Sequence, residues 1–387
     1  MTTHQHLVDP FHIHVPDADL DDLRRRLRTT RLPAPLPGDG WDSGVPVSVL
    51  ETLVERWAAH DWRATEERWN RWPQVRTRID GQTIHAVHVR SEVPGALPLL
   101  LVHGWPGSFL ELEQVIGPLT DPEAHGGRAE DAFHVVVPSL PGFGFSTPLE
   151  EAGWPTDRIA RAFVTLMDRL GHGRFAVQGG DIGAVVAPEV GRVAPDRVVG
   201  VHVNGALGPF VSEVGDQAAA TLSALEQDRL DRVRTFQREE LGYIALQSTR
   251  PSLVGVMAAD SPVAQLAWIL DKLQAWSHPA PAPAVDVLGE EFVLANASLY
   301  WLTASAGSAA YVGYAQGGAW GAEQPVSGVP TAALQLAHDV GLRFAAEREN
   351  HVVRWTDVED RGGHFAALEE PGLLVDDVRA FLRPLRP

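Results

Sequence analysis

Cysteine is absent from the 387 residues, which excludes a disulfide framework, thiolate metal ligands and a thiol nucleophile, and fits a reducing compartment. Lysine is reduced to Lys272, so arginine carries nearly all the positive charge, a bias of GC-rich coding rather than of chemistry. Positive charge as a whole is scarce: Lys+Arg 32 face Asp+Glu 50, a net −18, and the short Arg24-Arg25-Arg26 cluster is bounded by leucines. That balance disfavours nucleic acid and anionic membranes as partners. No apolar run reaches the roughly 20 residues a membrane helix needs, and Met1 to His6 lack a basic start followed by an apolar stretch. The expectation is an unprocessed cytoplasmic protein without a membrane anchor.

What is present suffices for a large core. Hydrophobic residues make up 44% and charged residues 21%, ordinary values for a folded globular chain. Residues 1-75 read as a helical leader without strand content, opening with acids at Asp17-Ala18-Asp19 and closing its first helix with arginines, as the helix dipole favours. Residues 76-208 alternate short apolar strands, among them Leu97 to Val102, His134 to Val137, Phe175 to Val177 and Val198 to Val203, with helices such as Ile159 to Leu170. Asp80-Gly81 marks a hairpin. Continuous apolar strands separated by helices predict a mostly parallel α/β sheet. Residues 209-315 are helical and read as a lid inserted into that sheet, and residues 316-387 return to strand and helix to complete it.

The most informative run is Gln178-Gly179-Gly180-Asp181-Ile182-Gly183. Small residues flank one acid between a strand and a helix, the pattern of a nucleophile elbow with aspartate in place of serine. A bare helix cap is the bland alternative. Carboxylate attack on carbon gives an alkyl ester that water must then cleave, which suits an electrophilic sp3 carbon. The water needs a base, and His364 in Arg361-Gly362-Gly363-His364-Phe365 sits in a glycine-rich turn after a strand. An imidazole base needs a carboxylate partner, for which Asp339 keeps the order nucleophile, acid, histidine; Asp357, Glu359 and Asp360 look like a solvated loop.

Backbone N–H groups at Trp105, in His103-Gly104-Trp105-Pro106-Gly107-Ser108, and at Ile182 could form an oxyanion hole, while His103 itself reads as a structural residue of the turn. Proton donors for a leaving oxygen come from four tyrosines, Tyr243, Tyr300, Tyr311 and Tyr314, all in the insertion. His12-x-His14 and His85-x-x-His88 lack the spacing of a metal motif, so no metal and no organic cofactor is expected.

These motifs, with Phe11-His12-Ile13-His14-Val15-Pro16, Asp61-Trp62-Arg63 and Pro141-Gly142-Phe143-Gly144-Phe145-Ser146, make the chain resemble the microsomal-type epoxide hydrolases over almost its full length. The resemblance implies an α/β-hydrolase fold with a helical lid and an N-terminal helical meander. It makes Asp181 the nucleophile, His364 the base, Asp339 its acid and Tyr243 a ring-opening donor, with Trp105, Phe145, Ile182 and Tyr311 as pocket walls. It implies an epoxide and water as partners, opened to a vicinal diol, with a homodimer left open. Two positions depart from the pattern. Ile182 stands where tryptophan is common, which weakens a dehalogenase reading. Gly313 stands where the second tyrosine is expected, so that a one-residue shift would be needed for Tyr314 to serve, and a diverged binding role is the alternative.

Overall fold

The computed structural model describes residues 8–38, 40–209, 211–214, 222–317 and 324–386. Among them nine strands form one sheet: β1 (Asp9–Phe11), β2 (Gln74–Ile79), β3 (Gln82–Val89), β4 (Leu97–Val102), β5 (Phe133–Pro138), β6 (Phe175–Gly180), β7 (Val198–Asn204), β8 (Ser327–Gln335) and β9 (Asn350–Asp357). Their spatial order is β1-β2-β3-β5-β4-β6-β7-β8-β9. From β5 to β9 all pairings are parallel, and β1, β2, β3 and β5 pair antiparallel. The β2–β3 hairpin closes Ile79 against Gln82 through Asp80 and Gly81, both at positive φ, as a two-residue turn of the right twist requires.

Parallel strands need crossovers, and the helices α4 (Glu113–Thr120), α5 (Thr156–Arg169) and α6 (Ile182–Val193) supply them. Side chains alternate across the sheet. Leu97, Leu99 and Leu101 join α4 and the last helix in one core, whereas Leu100 and Val102 join α5 and α6 in the other. Both faces are covered, which is why the strands read as unbroken apolar runs.

The leader contributes α1 (Asp17–Arg28), α2 (Val47–Ala59) and α3 (Trp62–Asn70). Leu20, Leu23 and Leu27 fall on one face of α1, and Leu23 and Leu27 pack with Leu50, Leu53 and Trp57 of α2. The expectation of a leader without strands fails at Asp9–Phe11, which pairs with β2. Between β7 and β8 lie α7 (Ala224–Glu239), α8 (Gly242–Thr249), α9 (Pro251–Asp260), α10 (Pro262–Trp276), α11 (Glu290–Leu302) and α12 (Ala306–Ala315), and α13 (Pro371–Leu382) closes the chain. The leader ties these inserted helices down: Trp57 Nε1 donates to Ser298 Oγ at 2.7 Å, Arg26 Nη1 to the Asp260 carbonyl at 2.8 Å, and Arg68 Nη2 to Glu291 at 3.0 Å. Pro279 to Pro283 link α10 to the helices that follow.

Candidate active site

Asp181 sits at the bend between β6 and α6 with φ 55 and ψ −118, a conformation that costs an aspartate on the order of 1–3 kcal/mol. The bend survives because its flanks are bare: a side chain on Gly179 would overlap the backbone of Gly183, and one on Gly183 would overlap the Val102 carbonyl. Asp181 occupies the N-cap position of α6 yet makes no side-chain cap. Its Oδ1 instead accepts the Trp105 N–H at 2.8 Å, across from the end of β4. The side chain is about a quarter exposed, and its Oδ2 lies 3.4 Å from His364 Nε2. The capping role considered for this residue is therefore replaced by a carboxylate aimed at a histidine from the far end of the chain.

His364 is placed by its turn. Its N–H donates to the Trp276 carbonyl at 3.0 Å, and the Glu369 Oε1 accepts the next amide, Phe365 N–H, at 2.8 Å. Asp339 reaches the same region because two loops are zipped together: Ala337 N–H donates to the Arg361 carbonyl and His338 N–H to the Gly362 carbonyl. Burial pushes the Asp339 carboxyl up to about 6, against the Leu336 amide that donates to it at 2.6 Å and the charge of His364. Burial alone would lower His364, but Asp181 first, then Asp339 and Glu111, carry its imidazole above the usual value. Of the rival acids, Asp357 is engaged by Arg229 at 2.7 Å, and Glu359 and Asp360 are exposed.

Tyr243 on α8 lies flat against Trp105, ring centroids 5.0 Å apart, and meets Trp276 edge-on at 5.4 Å. Trp276 in turn stands 5.1 Å from the His364 ring, so the phenol belongs to the aromatic wall over the Asp181–His364 pair. Burial, then the charges of Asp181 and Glu240, raise its pKa well above the usual phenol value, which keeps the O–H protonated and able to donate. Lys272, the single lysine, lies under this wall, 5.5 Å from the Tyr243 ring, and pairs with Glu240 and with Asp271 at 2.9 Å.

Three expected residues are elsewhere. Tyr311 and Tyr314 line a separate wide cleft formed with 147–149, 249–252, 303–304 and 307–308, and Tyr314 is half exposed. The reason is angular: successive residues of a helix turn by about 100°. Gly313 faces Ser248 of α8, so its neighbours point away. Phe145 packs with Phe11, His85 and Phe109 in the core beneath the hairpin rather than beside Asp181. Ile182 and Trp105 are both buried at the bend.

His103 is a structural residue: buried, it bonds the Gly104 carbonyl at 3.0 Å and accepts the Leu140 N–H at 3.2 Å, and burial lowers its pKa to about 4. His85 bonds Ser139 and Gln74, and His88 bonds His172.

Sequence reasoning missed the bolts of the 103–108 loop and one acid. Asn296 donates to the Pro106 carbonyl and accepts from Ser108, both at 2.8 Å, and Tyr300 Oη donates to the Gly107 carbonyl at 2.8 Å. Glu111 lines a small cavity with Asp181 and His364. Their only signal in the chain is proximity to the glycine-rich motif for Glu111, and for Asn296 and Tyr300 an otherwise unexplained polar stripe on an apolar helix.

A mostly parallel sheet carrying an acid on a strand–turn–helix elbow, with a histidine and a second acid after it in chain order, defines an aspartate-bearing member of the α/β-hydrolase fold. The family model for the epoxide hydrolase N terminus matches residues 8–112, and that for the alpha/beta hydrolase fold matches 98–339. A Stigmatella aurantiaca protein named "Putative epoxide hydrolase" is 42% identical, over 98% of this chain and 86% of its own, and epoxide hydrolase 1 of Sus scrofa is 32% identical over 97% and 88%. The crystal structure of juvenile hormone epoxide hydrolase from the silkworm Bombyx mori superposes with a TM-score of 0.88 at 29% identity, covering 98% of this chain and 95% of that one. Aspergillus niger epoxide hydrolase gives 0.84 at 33%, covering 97% and 96%. The chain belongs to the epoxide hydrolase family of the α/β-hydrolase superfamily.

Proposed function

We infer that Asp181 is the carboxylate on which this epoxide hydrolase carries its substrate as an ester. The observation that carries the reading is the Asp181 side chain, strained at the elbow, held by one N–H and facing His364. Attack on a ring carbon breaks the C–O bond, and the leaving oxygen takes its proton from Tyr243. Water then adds to the ester carbonyl while His364, kept in its tautomer by Asp339, removes a proton. The Trp105 N–H already contacts the oxygen that becomes the oxyanion, and Ile182 N–H, the first of α6, has no partner within the helix by position.

A single phenol serves the ring oxygen in this account, because Gly313 leaves the second position empty and Tyr314 faces the other cleft. That favours small organic or secondary-metabolite epoxides whose own strain or polarity helps ring opening. Dehalogenation is not favoured, since Ile182 offers no indole donor, and a binding-only role is not favoured beside this intact cluster. Among the described residues no helix is long and apolar enough to cross a membrane. A cytoplasmic location and pairing of two copies complete the reading, and fractionation and sedimentation of the native chain check them. The test of function is a panel of aliphatic and aryl epoxides assayed for diol. Turnover that disappears in Asp181→Asn is expected, and turnover that persists in that variant contradicts the reading.

A further inference from the structure

We propose that Glu111 is a positioning residue that holds the hydrolytic water in a cavity between Asp181 and His364. The inference rests on Asp181 being the ester carrier. It starts from a void of about 20 Å³ available to water centres, whose walls include Glu111, Asp181, His364, Gly104, Gly107 and Gln178. Such a volume is enough for about one water molecule, which must find two to four polar partners. Trp105 lines the void but Tyr243 and Trp276 do not, so a water there can reach the ester carbonyl from a side that the ring-opening phenol does not occupy.

Among the described residues Glu111 makes no ion pair, and its carboxyl is met by the amides of Gly104 and Ser108. It belongs to a single turn, Phe109–Leu112, whose neighbours Phe109, Leu110 and Leu112 are buried in the core. Its carboxyl is pressed on Gly107, where any side chain would overlap Oε2, so the glycine of the 103–108 loop makes the space that this acid fills. Burial, then the charge of Asp181, push the carboxyl up to about 8, while His364 and the amides of Gly104 and Ser108 pull the other way. At neutral pH it is therefore mostly an uncharged acid. A second anion is thus kept out of a pocket where it would repel both Asp181 and the developing oxyanion.

The step balances without further reagents. The water oxygen bonds to the ester carbonyl carbon of Asp181, its proton passes to His364, and Glu111 accepts a hydrogen bond from the other O–H and keeps its own proton. Collapse of the oxyanion breaks the bond to the alkyl oxygen and releases the diol, which takes a proton from His364, and the second water proton, left on the Asp181 carboxyl, returns to the Tyr243 phenolate.

The full-length chain is tested by single turnover with an epoxide that the wild type converts, following ester formation and decay by intact mass. Glu111→Ala is expected to slow ester decay about tenfold or more, the loss of one well-placed hydrogen bond, and to slow ester formation far less. Ester then accumulates, and kcat and KM fall together. Glu111→Gln retains a donor and an acceptor and is expected to recover most of the decay rate. Glu111→Met keeps the bulk without the hydrogen bond and replaces the alanine variant where that fails to fold. Ester decay at the wild-type rate in the alanine or methionine variant overturns the proposal, as does parallel slowing of both steps, or a glutamine variant no better than alanine. Absence of any ester in the wild type and in His364→Gln instead overturns Asp181 as its carrier.

Discussion

Among the described residues two aspartate–histidine pairs look alike in distance and differ in burial and in the hydrogen bonds around them. In the core, His202 Nε2 lies 3.0 Å from Asp377 Oδ2, both groups almost fully buried. Asp377 also accepts from Arg354 Nε at 2.9 Å and Thr356 Oγ1 at 2.7 Å, so its lone pairs are spent. At the elbow, Asp181 and His364 stand 3.4 Å apart, each about a quarter exposed, and the carboxylate accepts one backbone N–H. The saturated pair fastens α13 to β7 and β9. The unsaturated pair leaves a carboxylate with an oxygen free to attack. On the proposed function, reactivity at Asp181 follows from withheld hydrogen bonds and a backbone held at positive φ, not from the pairing itself.

The same substitution in the two pairs is expected to have opposite consequences for activity and stability. Asp181→Asn is expected to lower kcat/KM by about 10⁴-fold or more while leaving the melting temperature unchanged or raised, because it removes the nucleophile and relieves a strained, charged site. Asp377→Asn is expected to cost about 3–5 kcal/mol of stability by stranding Arg354 and His202, with activity per folded molecule retained. Denaturant titration and initial rates on both variants decide it. An activity loss in Asp377→Asn as large as in Asp181→Asn, at temperatures where it is folded, would show the two pairs are not separable.

Next in size is His364→Gln. It is expected to form ester at a substantial rate and to slow ester decay by about 10²–10⁴, giving one turnover per site and then a stall. A rapid-quench burst checks it, and steady turnover without a stall counts against the base. Tyr243→Phe acts on the other step. With one phenol in place, its loss is expected to slow ester formation by about 10²–10³. A change under about threefold would mean that another donor serves the ring oxygen.

How much of this was legible in the sequence differs by region. The strands β4 to β7 were legible because both faces of the sheet are buried, which leaves unbroken apolar runs. β1 was not, since three residues carry no period and their pairing is set by the hairpin beside them. Asp181, His364 and Trp105 announce themselves through flanking glycines that the backbone needs. Asp339 was legible only as a position in chain order, because the loop zipper that brings it to His364 is tertiary. Glu111 alternates with Leu110 and Leu112 like any half-exposed acid. Tyr311, Tyr314 and Phe145 misled because the family resemblance placed them near the site, while side-chain direction depends on how α12 and the β2–β3 hairpin pack.

The two pairs also separate by pH. Asp377 is held below its usual value, against its burial, by His202, Arg354 and Thr356. Its contribution is therefore present above the unfolded aspartate value of about 3.9 and is lost as pH falls below it. His364 is raised, so its contribution is present below the unfolded value of about 6.5 and is lost as pH rises through its folded value. Catalysis runs the opposite way, because the base must be neutral. Forming the ester removes the Asp181 charge, so the acid limb of ester decay is expected below the His364 value of the free enzyme, and a limb that ester formation leaves unmoved would contradict the pairing with Asp181. The smallest effect concerns the second cleft: Tyr314→Phe is expected to change kcat less than about twofold, since its half-exposed ring lies apart from Asp181. A loss comparable to that of Tyr243→Phe would bring α12 back into ring opening.

On the proposed function, one oxygen of Asp181 leaves in the diol and is replaced from water. A single turnover with enzyme in excess, run in ¹⁸O-water and read by mass spectrometry of the peptide containing Asp181 and of the diol, tests it directly. One heavy oxygen in the Asp181 carboxylate and an unlabelled diol are expected. A labelled diol with an unlabelled Asp181 would mean that water opens the ring itself.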